Sequence, residues 1–458
     1  MSGTCRSFRD GCAANGMTET TLNEAVASVS CAKMALHELK HRDNQTTVKW
    51  HGSNAYPWRA IIECAAWNGN LPVLAWAKEN EDSDWEKNTC SEPRSDAPRP
   101  YRPCDHAARA GRLAALQWLR EHGGCPWGNA CEAAATEGHF EVLQWARRNG
   151  CPWNMRTCVW STKRGHFDVL RWAHENGCPW NKGTCDAAAT HGHLDILQYA
   201  RQHGCPWEAS TCYSAAEGGH LDILIWLRQN GCPWNKYTCQ RAASHNHLAI
   251  LQWARENGCP WDVSTCSGAA RSGHFEVLRW AHQNDCPWDA TTCYNAAAAG
   301  CLDVLQYAQQ NGCPWDARTC SMAAGGGHLE TLQWARQNGC PWDADTCSCA
   351  ASHGHLDVLQ FARNNGCPWD VNTCAAAASA GNLNIIQWAR QHGCPWDART
   401  INAATSYLRM ARPEAAATSG HAEVLEYARQ NGCPTTSERP SIHSHLSHVQ
   451  SLMWSGGS

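Results

Sequence analysis

The hydrophobic and polar positions along the chain alternate between two short helical patterns. In the stretch GHLDILQYARQHGCPW, residues 192–207, the apolar side chains cover more than half of a helical wheel and leave only a narrow polar strip. This pattern predicts a helix over residues 194–203, because Gly204 can end it and Pro206 forbids its continuation. A helix with so much apolar surface must be covered on several sides, and neighbouring copies of the same unit can do this.

A first helix is predicted before it, with Thr184 as its N-cap and Gly192 as the left-handed residue that ends it. On a wheel counted from Thr184, the residues Cys185, Ala188 and Ala189 fall in one arc. The same residue types recur at these positions along the chain, so we expect this arc to face inward. The opposite arc varies from copy to copy.

The two helices form a unit that is repeated with a fixed period. The triplet Cys-Pro-Trp ends at Trp127, Trp153, Trp180, Trp207, Trp234, Trp261, Trp288, Trp315, Trp342, Trp369 and Trp396, and each step from Trp153 onward is 27 residues. We therefore predict about thirteen units over residues 59–434, with a Pro-rich insertion at 90–103 and a second insertion near 401–412. Residues 1–58 are predicted to be an N-terminal helical cap or a degenerate repeat, and residues 435–458 a flexible tail.

The run AAxxGHLEVL, followed twelve residues after its Gly by a second Gly, resembles the ankyrin repeat. The resemblance covers residues 59–434 and implies an all-α, ankyrin-like helical repeat solenoid. The period here is 27 rather than the 33 of that family, as in GHLEVLQWARxNGCPWD, so we expect shortened or absent β-hairpin fingers. The TPLH segment of the family is reduced to Thr-Cys. Leucine-rich repeats allow a similar period, but their LxxLxLxxN signature is absent from the sequence.

The composition argues against a nucleic-acid-binding protein and against a membrane protein. Lysine and arginine total 38 against 42 acidic residues, a net charge of −4, so the sequence lacks the basic surface of a nucleic-acid binder. It also has no apolar run of signal-peptide or membrane-spanning length, and we predict no membrane partner and a cytoplasmic or nuclear location. The 30 cysteines are expected to stay reduced there and to pack as small buried side chains.

The repeated Cys and His residues are candidates for metal chemistry, but the sequence favours packing. No CxxC pair occurs, and such pairs are typical of structural zinc sites. Cys301 and Asn382 replace the His that follows Gly in two units, so that His is interpreted as structural. We interpret Cys-Pro-Trp as a joint, in which Gly ends the helix and Trp covers the junction between units. No metal site or cofactor is predicted.

A catalytic function finds no support in the short motifs. The segment HELKH, residues 37–41, has the HExxH spacing of a zinc protease, but Lys40 is charged and the region before the repeats is too short for a protease domain. We interpret it as a chance match on a capping helix. The chain has neither a phosphate-binding GxxxxGK loop nor a GxSxG nucleophile turn. We predict no enzyme activity and no catalytic residues.

Variation between units points to a surface for another protein. The first helices of units four to nine carry large polar and aromatic side chains on their outward arc, whereas later units have small ones such as Ser321, Gly325 and Ala375. The predicted partner-binding residues are Trp160, Lys163, Arg164, Asp186, His191, Tyr213, Glu217, Gln240, Arg241, His245, Arg271, Tyr294 and Asn295.

The sequence therefore predicts a non-catalytic protein-protein interaction scaffold, whose partner it does not identify. Two alternatives stay open. One is a cysteine-rich array that binds metal or responds to redox conditions. The other is a substrate-recruiting subunit of a larger complex, for which we find no docking box at either end.

Overall fold

The computed structural model describes residues 27–40, 48–50, 53–55, 57–80, 84–90, 102–410 and 419–435. The chain divides into two compact units, Met1–Trp234 (unit 1) and Asn235–Ser458 (unit 2). Both are stacks of short helices, as the periodicity predicts. Among the helices in this described part of the chain, none combines the length and the apolar character needed to cross a bilayer.

The described part of unit 1 starts with a helix and a short antiparallel hairpin and continues as helix pairs. The hairpin pairs Val48 with Ala55 and Trp50 with Ser53; it lies in the region predicted to be an N-terminal helical cap or a degenerate repeat. The elements are α1 (Val29–Lys40), β1 (Val48–Trp50), β2 (Ser53–Ala55), α2 (Pro57–Asn68), α3 (Leu71–Glu79), α4 (Trp85–Cys90), α5 (Pro103–Arg109), α6 (Leu113–Glu121), α7 (Ala130–Thr136), α8 (Phe140–Arg148), α9 (Met155–Lys163), α10 (Phe167–Glu175), α11 (Lys182–His191), α12 (Leu194–Gln202), α13 (Ala209–Gly218) and α14 (Leu221–Gln229).

Unit 2 consists of the same helix pairs. Its helices are α15 (Lys236–Ser244), α16 (Leu248–Glu256), α17 (Val263–Arg271), α18 (Phe275–Gln283), α19 (Ala290–Ala298), α20 (Leu302–Gln310), α21 (Ala317–Gly325), α22 (Leu329–Gln337), α23 (Ala344–His353), α24 (Leu356–Asn364), α25 (Val371–Ser379), α26 (Leu383–Gln391), α27 (Ala398–Met410) and α28 (His421–Gln430). Within each unit, every first helix packs on the first helices before and after it and on its own second helix.

Several predicted boundaries fall in parts that the structure does not describe. Most of the Pro-rich insertion and nearly all of the C-terminal tail lie outside the described residues. Of the HELKH segment, residues 37–40 belong to α1 without described side chains, and residue 41 lies outside the described residues. The second insertion lengthens a first helix, since α27 has 13 residues. Helix α2 starts at Pro57, just before the predicted boundary at 58.

The first helix of a repeat starts earlier than predicted. In α11 the N-cap is Asn181, whose side chain accepts a hydrogen bond from the Gly183 amide at 3.0 Å. The prediction of Thr184 as N-cap is wrong, because Thr184 lies inside the helix and is fully buried. The other end agrees with the prediction, since Gly192 adopts the left-handed conformation with φ of 81°.

The inward arc of the first helix forms the core of each repeat. Cys185, Ala188 and Ala189 are all fully buried, as predicted. The second thiol of the repeat, Cys205, is also fully buried and donates to the carbonyl of Asn181 at 3.3 Å. The thiol of the Cys-Pro-Trp segment therefore ties the end of the second helix to the start of the first.

Consecutive repeats within a unit are joined by a contact between glycine and histidine, which we call the Gly–His lock. A Cβ on Gly192 would lie 2.6 Å from Cε1 of His220 in the next repeat, so the imidazole fills the space that the missing side chain leaves. His139 shows the polar part of the lock, because its Nε2 lies 3.0 Å from the carbonyl oxygen of Arg109 in the repeat before. His274, His328 and His421 repeat this contact at 2.9 to 3.1 Å. The interpretation of this His as structural agrees with these contacts.

The Cys-Pro-Trp segment forms a joint, as interpreted from the sequence. Trp207 packs against Trp226 of the following second helix, with ring centres 5.8 Å apart in an edge-to-face arrangement. The Arg201 guanidinium lies 4.2 Å from the Trp207 ring centre. In other repeats this arginine also donates to the carbonyl of the Cys, as Arg336 does to Cys340 at 3.0 Å. The joint therefore combines an aromatic contact with a charge-assisted hydrogen bond.

Candidate functional site

The residues predicted to bind a partner lie on the first helices or at their C-terminal ends, and they divide between the two units. Those in unit 1 belong to α9, α11 and α13, and those in unit 2 to α15, α17 and α19.

Helix α9 carries the clearest candidate contact surface of unit 1. The Lys163 ammonium lies 4.3 Å from the centre of the Trp160 ring, and both side chains are half-buried. Arg164, the residue that ends the helix, is exposed. An aromatic ring beside an arginine is typical of the residues that dominate the energy of protein interfaces.

Asp186 on α11 already has partners inside the protein. Its Oδ1 accepts hydrogen bonds from Thr211 Oγ1 at 2.6 Å and from Ser210 Oγ at 3.1 Å, both in the next repeat. Burial raises the pKa of this carboxyl group. Asp186 therefore contributes to the contact between repeats, which its outward position on the wheel did not indicate.

The remaining predicted residues of unit 1 differ in exposure. His191 is exposed, and its Nδ1 lies 3.0 Å from the carbonyl of Ala187. Tyr213 and Glu217 on α13 are half-buried. The structure thus places half-buried Trp160 and Lys163 with exposed Arg164 on α9, and on the next two first helices a set in which only His191 is exposed.

In unit 2 the exposed members are basic. Arg241, His245 and Arg271 are exposed, whereas Gln240, Tyr294 and Asn295 are half-buried. The guanidinium of Arg318 lies 5.1 Å from the ring centre of Tyr294. Sequence reasoning missed two exposed large apolar side chains at the start of first helices, Met155 in unit 1 and Tyr237 in unit 2, which are 45% and 47% exposed. They precede the Thr-Cys pair, where the units also vary.

A cleft of about 610 Å³ lies in unit 1 at the C-terminal ends of α2, α5 and α7. It is large enough for a small ligand or for one or two side chains of a partner. Its lining combines an aromatic ring, two arginines and two histidines with one carboxylate. The lining residues are Trp67, His106, Arg109, Ala110, Arg112, Glu137 and His139.

Buried charges surround one wall of the cleft. Arg109 lies 3.7 Å from the Glu137 carboxylate. Behind it, Nε2 of His106 lies 3.7 Å from Glu63, whose other oxygen accepts from Arg59 at 2.8 Å. Burial raises the pKa of Glu63 to about 7 in spite of the Arg59 guanidinium. His106 holds the position that Ala133 holds in the next repeat, so this region buries an ionisable side chain where a regular repeat has a methyl group.

Asp105 is the second buried carboxyl group here. Burial raises its pKa to about 6, against the lowering effect of hydrogen bonds from backbone amides. One of these is the Arg102 amide, 2.9 Å from Oδ2. Asp105 holds the position in its repeat that Asp186 holds further along.

Sequence reasoning missed the cleft residues because most of them belong to the first, degenerate repeats. One signal was present: Arg112 occupies the position of the His in the Gly–His lock. The other residues could not be grouped from the sequence alone, since Trp67 and Glu137 come together only when three repeats are stacked.

The thiols form pairs rather than larger groups. A hydrogen bond with Cys205 and burial raise the pKa of the Cys185 thiol, which keeps it protonated and weakly nucleophilic. Cys131 with Cys151 and Cys158 with Cys178 show the same relation. Over the described ranges, no cluster of three or more His, Cys, Asp or Glu side chains is placed to hold a metal ion. A search of protein-family models and of curated proteins finds no match to this chain.

Proposed function

We propose that the chain is a non-catalytic scaffold that binds another protein through the outward faces of its first helices. The observation that carries the proposal is the contrast between two sets of positions on the same helix. The inward positions hold a buried Cys and two small buried residues in successive repeats, Ala in α11 and α13 and Ser161 and Thr162 in α9, whereas one outward position changes from Lys163 on α9 to Thr190 on α11 and Glu217 on α13. Side chains that are released from packing and differ between repeats can be selected for a partner.

The repeats are proposed to be a short ankyrin type. Three features support this: the two helices of each unit, the left-handed glycine between them, and the short Cys-Pro-Trp-Asp loop in place of a longer finger. The partner is proposed to be a protein, and the compartment the cytoplasm or the nucleus. A scaffold of this kind needs no bound cofactor or catalytic group.

The experiment that tests the function is affinity capture with paired variants of the full chain. The test variant of unit 1 carries Trp160→Ala and Arg164→Ala, and that of unit 2 carries Arg241→Ala and Arg271→Ala. The control carries Arg171→Ala and Asp195→Ala, exposed positions on second helices. We expect proteins that bind the wild type and the control to be lost from at least one test variant, with unchanged far-ultraviolet circular dichroism. Equal capture by all four proteins would refute the proposed surface.

A further inference from the structure

The cleft of unit 1 exists where the regular Gly–His lock is altered. Arg112 replaces the histidine, and its Nε donates to the carbonyl of Trp67 at 3.3 Å, the same contact that His139 makes with Arg109 one repeat later. The Arg112 side chain also fills the space above Gly69, because a Cβ there would lie 3.2 Å from its Cδ. The Nε of Arg112 therefore makes the hydrogen bond that an imidazole nitrogen makes in other repeats.

The two terminal nitrogens of Arg112 are the part of the group that a histidine lacks. Within the described residues they make no hydrogen bond or ion pair, and the side chain is exposed. A guanidinium held at Nε presents its terminal N–H groups in a fixed plane. This is the geometry that pairs with both oxygens of a carboxylate.

The ion pairs around the cleft leave the positive charge of Arg112 without a carboxylate partner in the described part of the chain. The other arginine of the lining, Arg109, faces the Glu137 carboxylate at 3.7 Å. The carboxyl behind the wall, Glu63, is engaged by Arg59 and is buried. An incoming negative charge would therefore meet a positive group that the protein itself does not neutralise.

An aromatic face lies next to this charge. Trp67 lines the cleft and packs edge-to-face with His106, with ring centres 6.4 Å apart. Most other repeats carry a smaller side chain at the position of Trp67, such as Thr136 or Ser244. A ligand that combined a carboxylate with an apolar group could place one on Arg112 and the other on Trp67.

The cleft continues the row of outward positions on the first helices. Arg109 holds the same repeat position as Lys163, and Glu137 the same position as Arg164. The helices that carry them, α5, α7 and α9, pack in succession. A peptide segment that lies along these helices would reach both the cleft and the group around Trp160.

From these observations we propose that the cleft binds an acidic peptide segment of the partner protein, with an Asp or Glu carboxylate on Arg112 and an adjacent apolar side chain on Trp67. This inference rests on the proposed scaffold function and names the chemistry that it recognises at one end of unit 1. The substitution of Arg for the repeated His is its central observation.

The test is selection of short peptides from a random display library by the full chain. We expect the selected sequences to be enriched in Asp or Glu beside an apolar residue. Their dissociation constant should rise at least about tenfold for Arg112→His, because a charge-assisted hydrogen bond is lost. Arg112→His restores the residue that other repeats have at this position. It therefore keeps the hydrogen bond of the Gly–His lock and removes only the two terminal N–H groups of the guanidinium. Arg171→His, on a second helix, is the matched control and should bind like the wild type.

Three results would overturn the inference. The first is selection without acidic enrichment, and the second is equal binding of the acidic peptides by wild type and Arg112→His. The third is binding of inorganic phosphate, lost in Arg112→His, without selection of acidic peptides, which would make the cleft a general anion site. Peptides that lose affinity for the Trp160→Ala, Arg164→Ala variant but not for Arg112→His would leave the scaffold function standing and remove the cleft from it.

Discussion

Two glycines of the same repeat have the same backbone conformation but different surroundings. Substitution of each by alanine therefore measures how much the close packing of the Gly–His lock contributes to the free energy of unfolding. Gly192 and Gly204 have φ of 81° and 80°. A Cβ on Gly192 would press on His220, whereas one on Gly204 would meet nothing within 4 Å. The backbone strain of an alanine is therefore the same at both positions. Any difference between the two losses in the free energy of unfolding comes from the contact with His220.

We expect Gly204→Ala to lower the free energy of unfolding by about 1 kcal/mol, the cost of a left-handed alanine, and Gly192→Ala by about 2 to 3 kcal/mol. Urea unfolding followed by circular dichroism measures both values. Equal losses in the two variants would show that the next repeat yields to the added methyl group without cost.

Glu63 gives a residue-scale prediction for pH. Its folded-state pKa is about 7 against an ordinary value of 4.5, so folding favours the protonated carboxyl. Its contribution to stability is complete below pH 4.5 and is lost as the pH rises through 7. Arg59, His106 and Asp105 are the charged or titratable groups around it. Glu63→Gln should therefore reduce the loss of stability between about pH 5 and pH 8, by at most about 3 kcal/mol.

Thermal unfolding midpoints of the wild type and Glu63→Gln at both pH values test this prediction, with Glu121→Gln, an exposed carboxyl of the same unit, as control. A wild type whose stability does not fall more steeply than that of Glu63→Gln would contradict it.

At the scale of the helix, the sequence predicts that a helix is present and where it ends better than it predicts where the helix begins. The end of the first helix was predicted because Gly192 is the one residue there that suits a positive φ. The start was misplaced because Asn181 and Thr184 are both good N-cap residues. Burial decides between them, since Thr184 is fully buried and its Oγ1 has no hydrogen-bond partner among the described residues. Burial of this kind depends on neighbours that a local pattern does not contain.

One Cys-Pro-Trp joint lacks the arginine that most others have, and we expect a substitution that adds it to stabilise the protein. In most repeats an arginine lies over the Trp of Cys-Pro-Trp, as Arg363 does over Trp369 at 4.5 Å. The repeat that ends at Trp315 has Gln309 in that position. We expect Gln309→Arg to place a guanidinium over Trp315 and within reach of the Cys313 carbonyl, which should stabilise the protein by about 0.5 to 1 kcal/mol.

The matched control is Gln310→Arg, which adds the same charge at the exposed neighbouring position. The urea midpoints of both variants give the comparison. If Gln310→Arg stabilises the protein as much as Gln309→Arg, the gain comes from net charge and the joint has no part in it.

For the whole molecule, the distribution of thiols predicts which cysteines react. Among the described cysteines only Cys301 and Cys349 are half-buried, and all others are buried. In the native protein we expect iodoacetamide to modify these two far faster than Cys185 or Cys205, whereas all four should react in denaturant. Mass spectrometry of peptides after timed labelling measures the rates. Fast native labelling of Cys185 or Cys205 would instead favour the redox-responsive alternative.

The stack as a whole could be predicted from the period, because one unit with unmatched apolar faces must pack on copies of itself. Its candidate site was predicted only where single residues stand out, as Trp160 and Arg164 do. The cleft escaped prediction because Trp67, Arg109 and Arg112 belong to different helices of irregular repeats, and only their packing brings them together. Asp186 shows the opposite case, an outward residue that the next repeat engages.

The Gly–His lock also constrains how the coding sequence can change in length. In the regular repeats a histidine contacts a carbonyl 30 residues earlier, as His139 does with Arg109 and His328 with Ala298, and the units recur every 27 residues from Trp153 to Trp396. Unequal crossing-over that removes or inserts one whole period within a unit leaves each histidine opposite the same left-handed position of the repeat before, which is Gly in most repeats and Asn246 in one. An insertion of another length has to be accommodated away from the lock, as in the last repeat, where α27 is longer and His421 still lies 2.9 Å from the carbonyl oxygen of Ser379, 42 residues earlier. The array can therefore gain or lose repeats by recombination, and with them outward side chains, without the need for compensating substitutions in its core.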